Sequence, residues 1–199
     1  MAGDSKDRMI RSAYQLFRER GYSGTGFREI SAYSGVAKGA VYHHFPFGKV
    51  ELAENVIRLA GREVGDLLQQ GANSVGPADL VAGFTEGWAA HVSGSNFTAG
   101  CAIAAIVSES QHDAPELAQA AAEAFGMWRT ILADSLVHHG VRRARAQQLA
   151  TLAVAAVEGG VILARAERTI TPLEEINREL RKMFNEAVSQ VAGGPKVPR

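Results

Sequence analysis

The chain of 199 residues has little cysteine, little proline and no net charge. Its single cysteine, Cys101, cannot form an internal disulfide, so the fold must rest on a hydrophobic core, and a reducing compartment such as the cytoplasm is expected. A chain of this length buries enough apolar surface to fold without metal or disulfide cross-links. No stretch reaches about 18 consecutive apolar residues, which argues against a membrane span and a membrane partner.

The missing net charge argues at first against nucleic acid as a partner, because 21 basic residues balance 21 acidic ones. The charges are unevenly distributed, however. Residues 1–50 contain eight Lys or Arg and four Asp or Glu, a net +4, and residues 51–199 carry the compensating −4. This asymmetry indicates contact with nucleic acid or a membrane. The N-terminus MAGDSKDRMI is charged and lacks an apolar segment, so no signal peptide is expected.

Apolar residues recur at spacings of three and four, and no run alternates apolar and polar residues as a strand does. The pattern predicts an all-α protein of about nine helices. In the fourth helix, Leu67 is assigned to the apolar stripe together with Leu52. The predicted helices cover 6–20, 27–34, 38–45, 48–70, 77–92, 101–110, 114–139, 144–167 and 172–191.

The second and third helices and the tight turn between them have the dimensions of a helix-turn-helix, at about residues 26–45. Two such short helices cannot bury their own apolar faces, so Ile30, Val36, Val41 and Phe45 must face inward against the first helix. The face opposite Val41 and Phe45 then points outward. It presents a cation, a glycine and two aromatic hydrogen-bonding groups, which suit phosphates and base edges. These residues are Lys38, Gly39, Tyr42 and His43.

The N-terminal part of the chain contains five notable segments, in this order: Ile10–Phe17, Gly21-Tyr22, Phe27–Ser31, Gly35–Phe45 and Lys49–Leu52. In order and spacing they resemble the DNA-binding part of the TetR/AcrR family of transcriptional regulators. The resemblance covers about the first 55 residues, and the remaining helices resemble that family's ligand-binding domain in layout and length. Glu158-Gly159-Gly160 and Ala164-Arg165-Ala166-Glu167 look most like the branch of the family that controls drug-efflux genes.

The resemblance implies contacts to double-stranded operator DNA at seven positions. Phosphate contacts are implied at the starts of the second and fourth helices, and backbone and base contacts along the third. Two positions depart from the family: Gly26 and Ala37 stand where the family usually has Thr and Ser, and both lose a hydroxyl. The implied DNA-binding residues are Thr25, Arg28, Lys38, Gly39, Tyr42, His43 and Lys49.

The expected organisation is a helix-turn-helix DNA-binding domain at 1–50, a helical effector-binding and dimerisation domain at 51–192, and a disordered tail at 193–199. A homodimer is expected through the last two helices. There, Ala153, Ala156, Gly160 and Ala164 would allow close helix approach, or would simply pack within the chain's own core.

Aromatic and soft apolar residues in the middle helices predict a pocket for an apolar or aromatic small-molecule effector. Taken singly, each of them is more typical of core packing than of a ligand contact, except Trp88 and Trp128, for which the two interpretations are equal. The predicted effector-binding residues are Phe84, Trp88, His91, Cys101, Phe125, Trp128 and Glu158.

The function that follows is a ligand-responsive DNA-binding regulator, a repressor released from a palindromic operator by its effector. The alternatives are a helical protein-interaction module and a small helical enzyme. No nucleophile elbow, phosphate loop, metal-binding His-Glu helix or Cys pair is recognisable, so no catalytic residue, metal site or cofactor is expected.

Overall fold

The computed structural model describes the backbone of residues 2–110 and 114–192, and every side chain there except those of residues 2–4, 38 and 192. The described residues contain helices and no strand, which confirms the all-α prediction. The tail at 193–199, expected to be disordered, lies outside the described residues. The helices of the described residues are α1 (Ala2–Arg20), α2 (Phe27–Ser34), α3 (Lys38–His44), α4 (Gly48–Ala72), α5 (Pro77–Gly94), α6 (Ala102–Glu109), α7 (Pro115–His138), α8 (Arg143–Glu167) and α9 (Thr171–Ala192).

The short helices begin and end where local chemistry dictates. Glu29 accepts a hydrogen bond at Oε2 from the backbone N–H of Gly26 (3.0 Å), which caps the start of α2. Gly35 ends that helix in the left-handed conformation, with φ of 65°. Pro46 cannot continue α3, and Pro77 occupies the first turn of α5. Because these signals are local, the sequence places most boundaries within about two residues.

The helices group into two compact units. The first comprises Met1–Glu63 and Thr98–Phe125, and the second comprises Val64–Phe97 and Gly126–Arg199. The long helices α4 and α7 therefore each contribute residues to both units. The predicted domain boundary at residue 50 falls inside the first unit, which also contains the beginning of α4 and all of α6.

The first unit has a core in which α1 packs against α2 and α6, and α2 against α3. Ile30, Val41 and Phe45 are fully buried and Val36 is 6% exposed, which confirms that these four residues face inward. One face of α1 is buried in this core. Its buried residues are Met9, Ala13, Leu16 and Phe17, while Ile10 and Tyr14 are only half-buried.

The second unit is built by α5 packing on α8 and α9, and by α8 packing on α9. Trp128 of α7 is fully buried in this unit. The prediction that Leu67 belongs to the buried stripe of α4 is wrong: Leu67 is 68% exposed and Leu68 is 3% exposed. The error arises because 3.6 residues per turn leaves two adjacent leucines equally compatible with the stripe, and packing against neighbouring helices decides between them.

The small residues of α8 pack inside the chain. Ala153 and Ala164 are fully buried, and Gly160 is buried too. A Cβ at Gly160 would lie 2.7 Å from Cδ1 of Ile176 and 2.8 Å from Cδ2 of Leu173, so the glycine allows α9 to approach α8 closely. For these three residues the alternative interpretation, packing within the chain's own core, is confirmed.

Apolar surface on α8 is only partly covered by the chain. The helix has the length and a mean hydropathy, 1.7, that would allow it to cross a membrane, and 44% of that stretch is buried inside the protein. Helices that are apolar on most sides also occur in protein cores. Leu152, Ile162 and Leu163 are 43%, 64% and 49% exposed, respectively.

Candidate nucleic-acid interface

A rigid turn joins α2 to α3. Gly35 takes its positive φ there, and Ser31 donates a hydrogen bond from Oγ to the carbonyl oxygen of Val36 (2.5 Å). The backbone N–H of Val36 donates to Oγ of Ser34 (3.3 Å). Since Val36 is also buried, polar and apolar contacts together hold the angle between the two helices.

The face of α3 opposite the core is exposed, as the sequence predicts. Tyr42 is 59% exposed, and Gly39 and His43 are exposed too. The Tyr42 ring meets the edge of Phe27 at a centroid distance of 5.8 Å, which restricts its position without burying its hydroxyl. A Cβ at Gly39 would meet no atom within 4 Å, so the backbone there is open to a close approach. Lys38 begins α3, but its side chain lies outside the described part of the structure.

Of the two residues expected at the start of α2, the structure exposes only one. Arg28 is exposed. Thr25 is fully buried, and its Oγ1 donates a hydrogen bond to the carbonyl oxygen of Gly21 (2.9 Å). The Thr25 side chain therefore stabilises the loop between α1 and α2 and has no exposed surface for a phosphate. A hydroxyl that satisfies a local carbonyl is indistinguishable, from sequence, from one that faces a ligand.

Lys49 lies near the start of α4, where the helix dipole attracts anions. Its Nζ donates to the carbonyl oxygen of Tyr22 (2.5 Å) and lies 4.2 Å from the centroid of the Tyr22 ring. Burial lowers the pKa of Lys49 from its ordinary value of 10.5, and the charges of Glu109 and Glu29 oppose that shift. Lys49 thus supports the loop between α1 and α2 and adds positive charge beside it.

Sequence reasoning missed two residues of this region. Glu109, at the end of α6, accepts a hydrogen bond at Oε2 from the backbone N–H of Ser23 (2.6 Å). No sequence signal identifies this contact, because the two residues are 86 positions apart. Phe47, in the turn between α3 and α4, is 84% exposed. The sequence did contain a signal for it: Phe47 is an apolar residue that directly follows Pro46 and belongs to the apolar stripe of no helix.

The predicted effector residues are divided between the two units. In the second unit, rings of the predicted set contact one another: Trp128 lies 6.0 Å from Phe84 and 6.5 Å from Trp88, and Trp88 lies 5.6 Å from His91. Glu158, on α8, is half-buried in the same unit. The first unit contains the other two members of the set, Cys101 and Phe125.

A shallow concavity of about 670 Å³ lies elsewhere, along one face of α8. Gln148, Thr151, Leu152 and Ala155 contribute to its lining. Within the ranges 2–110 and 114–192, no group of three or more His, Cys, Asp or Glu side chains is placed to hold a metal ion. Cys101 precedes α6, and its Sγ accepts a hydrogen bond from the backbone N–H of Ala104 (3.5 Å).

Comparison with known families accounts for most of the chain. Residues 9–56 match the family described as bacterial regulatory proteins, tetR family, and residues 77–179 match the family described as transcriptional regulator LmrA/YxaF-like, C-terminal domain. The chain belongs to the TetR family of transcriptional regulators. The first match contains the helix-turn-helix and the start of α4, and the second extends from α5 into α9.

Relatives of this TetR-family protein are named as HTH-type transcriptional regulators. An uncharacterized HTH-type transcriptional regulator of Mycobacterium tuberculosis is 33% identical over 185 residues, covering 90% of this chain and 93% of the relative. The HTH-type transcriptional regulator LmrA of Bacillus subtilis is 28% identical over 179 residues, covering 88% and 94%. These names describe transcriptional regulators, which are not enzymes.

Solved structures of the family share this fold. A TetR transcriptional regulator from Legionella pneumophila superimposes with a TM-score of 0.80 at 22% identity, covering 89% of this chain and 95% of that one. Another, from Chloroflexus aurantiacus, has a TM-score of 0.75 at 28% identity, covering 93% and 96%. The structural likeness supports the fold, and the two family matches make this protein a helix-turn-helix transcriptional regulator with a helical C-terminal part.

Proposed function

We propose that this protein is a homodimeric repressor in the cytoplasm, with no membrane partner, that binds a palindromic operator and leaves it when a small apolar or aromatic effector binds. One relative supports the repressor role: the HTH-type transcriptional repressor BepR of Brucella suis is 30% identical over 79 residues, which cover 40% of this chain and 37% of BepR. That the protein belongs to the branch of the family that controls drug-efflux genes stays a prediction.

The observation that carries the DNA-binding proposal is the two-sided character of α3. Its inner face is anchored by Val41 and Phe45, both fully buried, while Tyr42 and His43 are exposed on the outer face. A helix anchored in this way enters the major groove without rearranging its core. We assign base and backbone contacts to this outer face, including Lys38 and Gly39, and phosphate contacts to Arg28 and Lys49. Thr25 is left out because its side chain is buried.

We propose that the dimer forms through the exposed side of α8, together with α9. One recognition helix covers few base pairs, so a two-fold dimer is needed for a full operator. Exposed and half-buried residues recur on α8 at spacings of three and four, which makes one apolar stripe suited to a partner helix. The stripe is Leu152, Ala155, Gly159, Ile162 and Ala166.

We propose that the effector acts by population shift. It binds preferentially to a conformation in which the two helix-turn-helix parts of the dimer no longer match successive major grooves of the DNA. The affinity for the operator therefore falls. The aromatic cluster of Phe84, Trp88 and Trp128 supports an apolar or aromatic effector, and the ring of His91 contacts that of Trp88. Glu158 lies in the same unit and is a further proposed polar contact. Cys101 and Phe125 remain predicted contacts.

The test is to sequence the genomic fragments that the purified protein retains, and then to measure binding to the selected sequence by gel shift. Tyr42→Ala should weaken operator binding by about 1–3 kcal/mol, because a good base contact is worth that much. Tyr33→Ala is the matched control, since Tyr33 is also 59% exposed but lies on α2.

Lys49→Ala tests the phosphate contact. It should reduce the slope of operator affinity against salt concentration by about one unit. Uniform weak binding to any DNA would support the interaction-module or enzyme alternative.

The dimer surface has its own matched pair of variants. Ile162→Glu should convert the dimer to monomer in sedimentation experiments, because it places a charge in the proposed apolar stripe. Leu67→Glu is the control, with 68% exposure against 64% for Ile162. A dimer that persists in Ile162→Glu at micromolar concentration would place the interface elsewhere.

A further inference from the structure

Phe47 is the most exposed large apolar side chain in the described part of the chain, at 84%. Isolated apolar residues on a surface are common and usually need no explanation. This one, however, lies in the turn between the helix proposed to read the operator and the helix start proposed to meet a phosphate. Phe47 therefore lies between two groups of proposed DNA contacts.

The backbone on both sides of Phe47 is fixed. Phe45 is fully buried and anchors the turn to the core. The backbone N–H of Gly48 donates to the carbonyl oxygen of Phe45 (3.0 Å), and the backbone N–H of Phe47 donates to Oε2 of Glu51 (3.1 Å). Pro46 restricts the remaining freedom. The exposed ring is thus held out from a rigid support, which reduces the entropy lost when it contacts a partner.

The chain segments on both sides of Phe47 carry basic residues. His43 and His44 end α3 on one side, and Lys49 lies near the start of α4 on the other. The Glu51 carboxylate accepts a hydrogen bond from the Phe47 N–H, which holds that carboxylate in place. The first N–H groups of α4 add partial positive charge. This charge pattern complements a sugar–phosphate backbone, and a phenyl ring, which has no hydrogen-bonding group, complements the apolar face of the sugar.

We propose that Phe47 is a DNA contact, and that its ring packs on a deoxyribose next to the phosphate bound at the start of α4. This inference rests on the proposed function, because it requires operator binding through the helix-turn-helix. It assigns Phe47 a contribution to affinity and none to base preference, since sugar contacts carry no sequence information directly.

The test compares operator binding by the full-length protein and three variants at several salt concentrations. Phe47→Ala should weaken binding roughly five- to thirty-fold, as expected for losing the partial burial of one aromatic ring. The salt slope should equal that of the unchanged protein, because no phosphate contact is removed. Phe47→Leu should retain most of the affinity. Leu67→Ala, which removes a side chain of 68% exposure in the second unit, should have no effect.

The outcomes separate this inference from the function on which it rests. If the unchanged protein binds its operator and Phe47→Ala binds within two-fold of it, the contact is absent while the regulator function stands. A flatter salt slope in Phe47→Ala, or a relaxed preference at one base pair, would also overturn the deoxyribose contact. If the unchanged protein selects no DNA sequence at all, both proposals fail. An unfolding midpoint within error of the unchanged protein's must accompany the supporting result, since a residue this exposed should contribute little to stability.

Discussion

Replacing Gly21 by alanine tests how α6 supports the loop between α1 and α2. Gly21 has φ of 79°, a conformation that costs a residue with a Cβ about 1–2 kcal/mol. A Cβ there would also overlap with Oε1 of Glu109. The Glu109 carboxylate would have to move and release the Ser23 N–H. Because Glu109 is half-exposed, we expect that loss to cost about 1 kcal/mol, below the usual range for a charged hydrogen bond. The whole substitution should cost about 2–3 kcal/mol.

Two comparisons separate the backbone strain from the displaced carboxylate. Gly48 has the same φ of 79°, but a Cβ there would meet no atom within 4 Å. Gly48→Ala should therefore cost only the strain, about 1–2 kcal/mol. In a protein that carries Glu109→Ala, Gly21→Ala should likewise cost only the strain, so the double-mutant cycle should give a coupling of about 1 kcal/mol.

The assay is urea unfolding followed by circular dichroism, at one fixed protein concentration because dimerisation adds to apparent stability. The free energy of unfolding is needed for the unchanged protein, the three single variants and the double variant. The reasoning is refuted if Gly21→Ala costs the same with and without the Glu109 carboxylate. It is also refuted if Gly21→Ala costs no more than Gly48→Ala.

Three further results are expected. Trp128→Ala should reduce the free energy of unfolding by about 3–5 kcal/mol, because it empties a fully buried site between aromatic rings; Met127→Ala, at a position 42% exposed, should cost much less. The hydrogen bond from the Gly26 N–H lowers the pKa of Glu29 below 4.5, so the Glu29 carboxylate stabilises the fold at neutral pH and loses that effect as the pH falls below 4.5. The thermal midpoints of Glu29→Gln and of the unchanged protein should therefore converge in acid. Burial raises the pKa of Tyr14 above 10.0, so the free energy of unfolding should fall as the pH rises past that value. In an ultraviolet titration of the tyrosines, Tyr14→Phe should remove a step that lies at higher pH than that of an ordinary tyrosine.

Local signals made the helix-turn-helix predictable. The bounds of α2 follow from Gly26, Glu29 and Gly35, which act within one turn of the chain. The inward direction of Val41 and Phe45 follows from their spacing of four residues. The prediction of buried residues failed where two neighbouring residues fitted the same helical period. Leu67 was chosen although Leu68 is the buried one, because only the packed neighbours of α4 distinguish them.

The sequence also could not resolve the contacts of polar residues that have two possible partners. Thr25 has the residue type of a phosphate contact, yet its hydroxyl bonds the Gly21 carbonyl inside the first unit. Lys49 has the residue type and position of a phosphate contact, and the fold also places its ammonium group against Tyr22. Both outcomes depend on the path of a short loop, which residue type alone does not specify.

The sequence by itself determined the all-α class, the succession of the helices and the two faces of α3, because helix period and capping act over a few residues. The tertiary structure decided which side of α8 is left uncovered: Gly160 and its small neighbours admit α9, so the exposed stripe runs through Ile162 instead. It also decided that Glu109 supports a loop 86 residues away and that the ring of Phe47 is left in solvent. Contacts between distant segments follow from the fitting of side chains in three dimensions, and no local period records them.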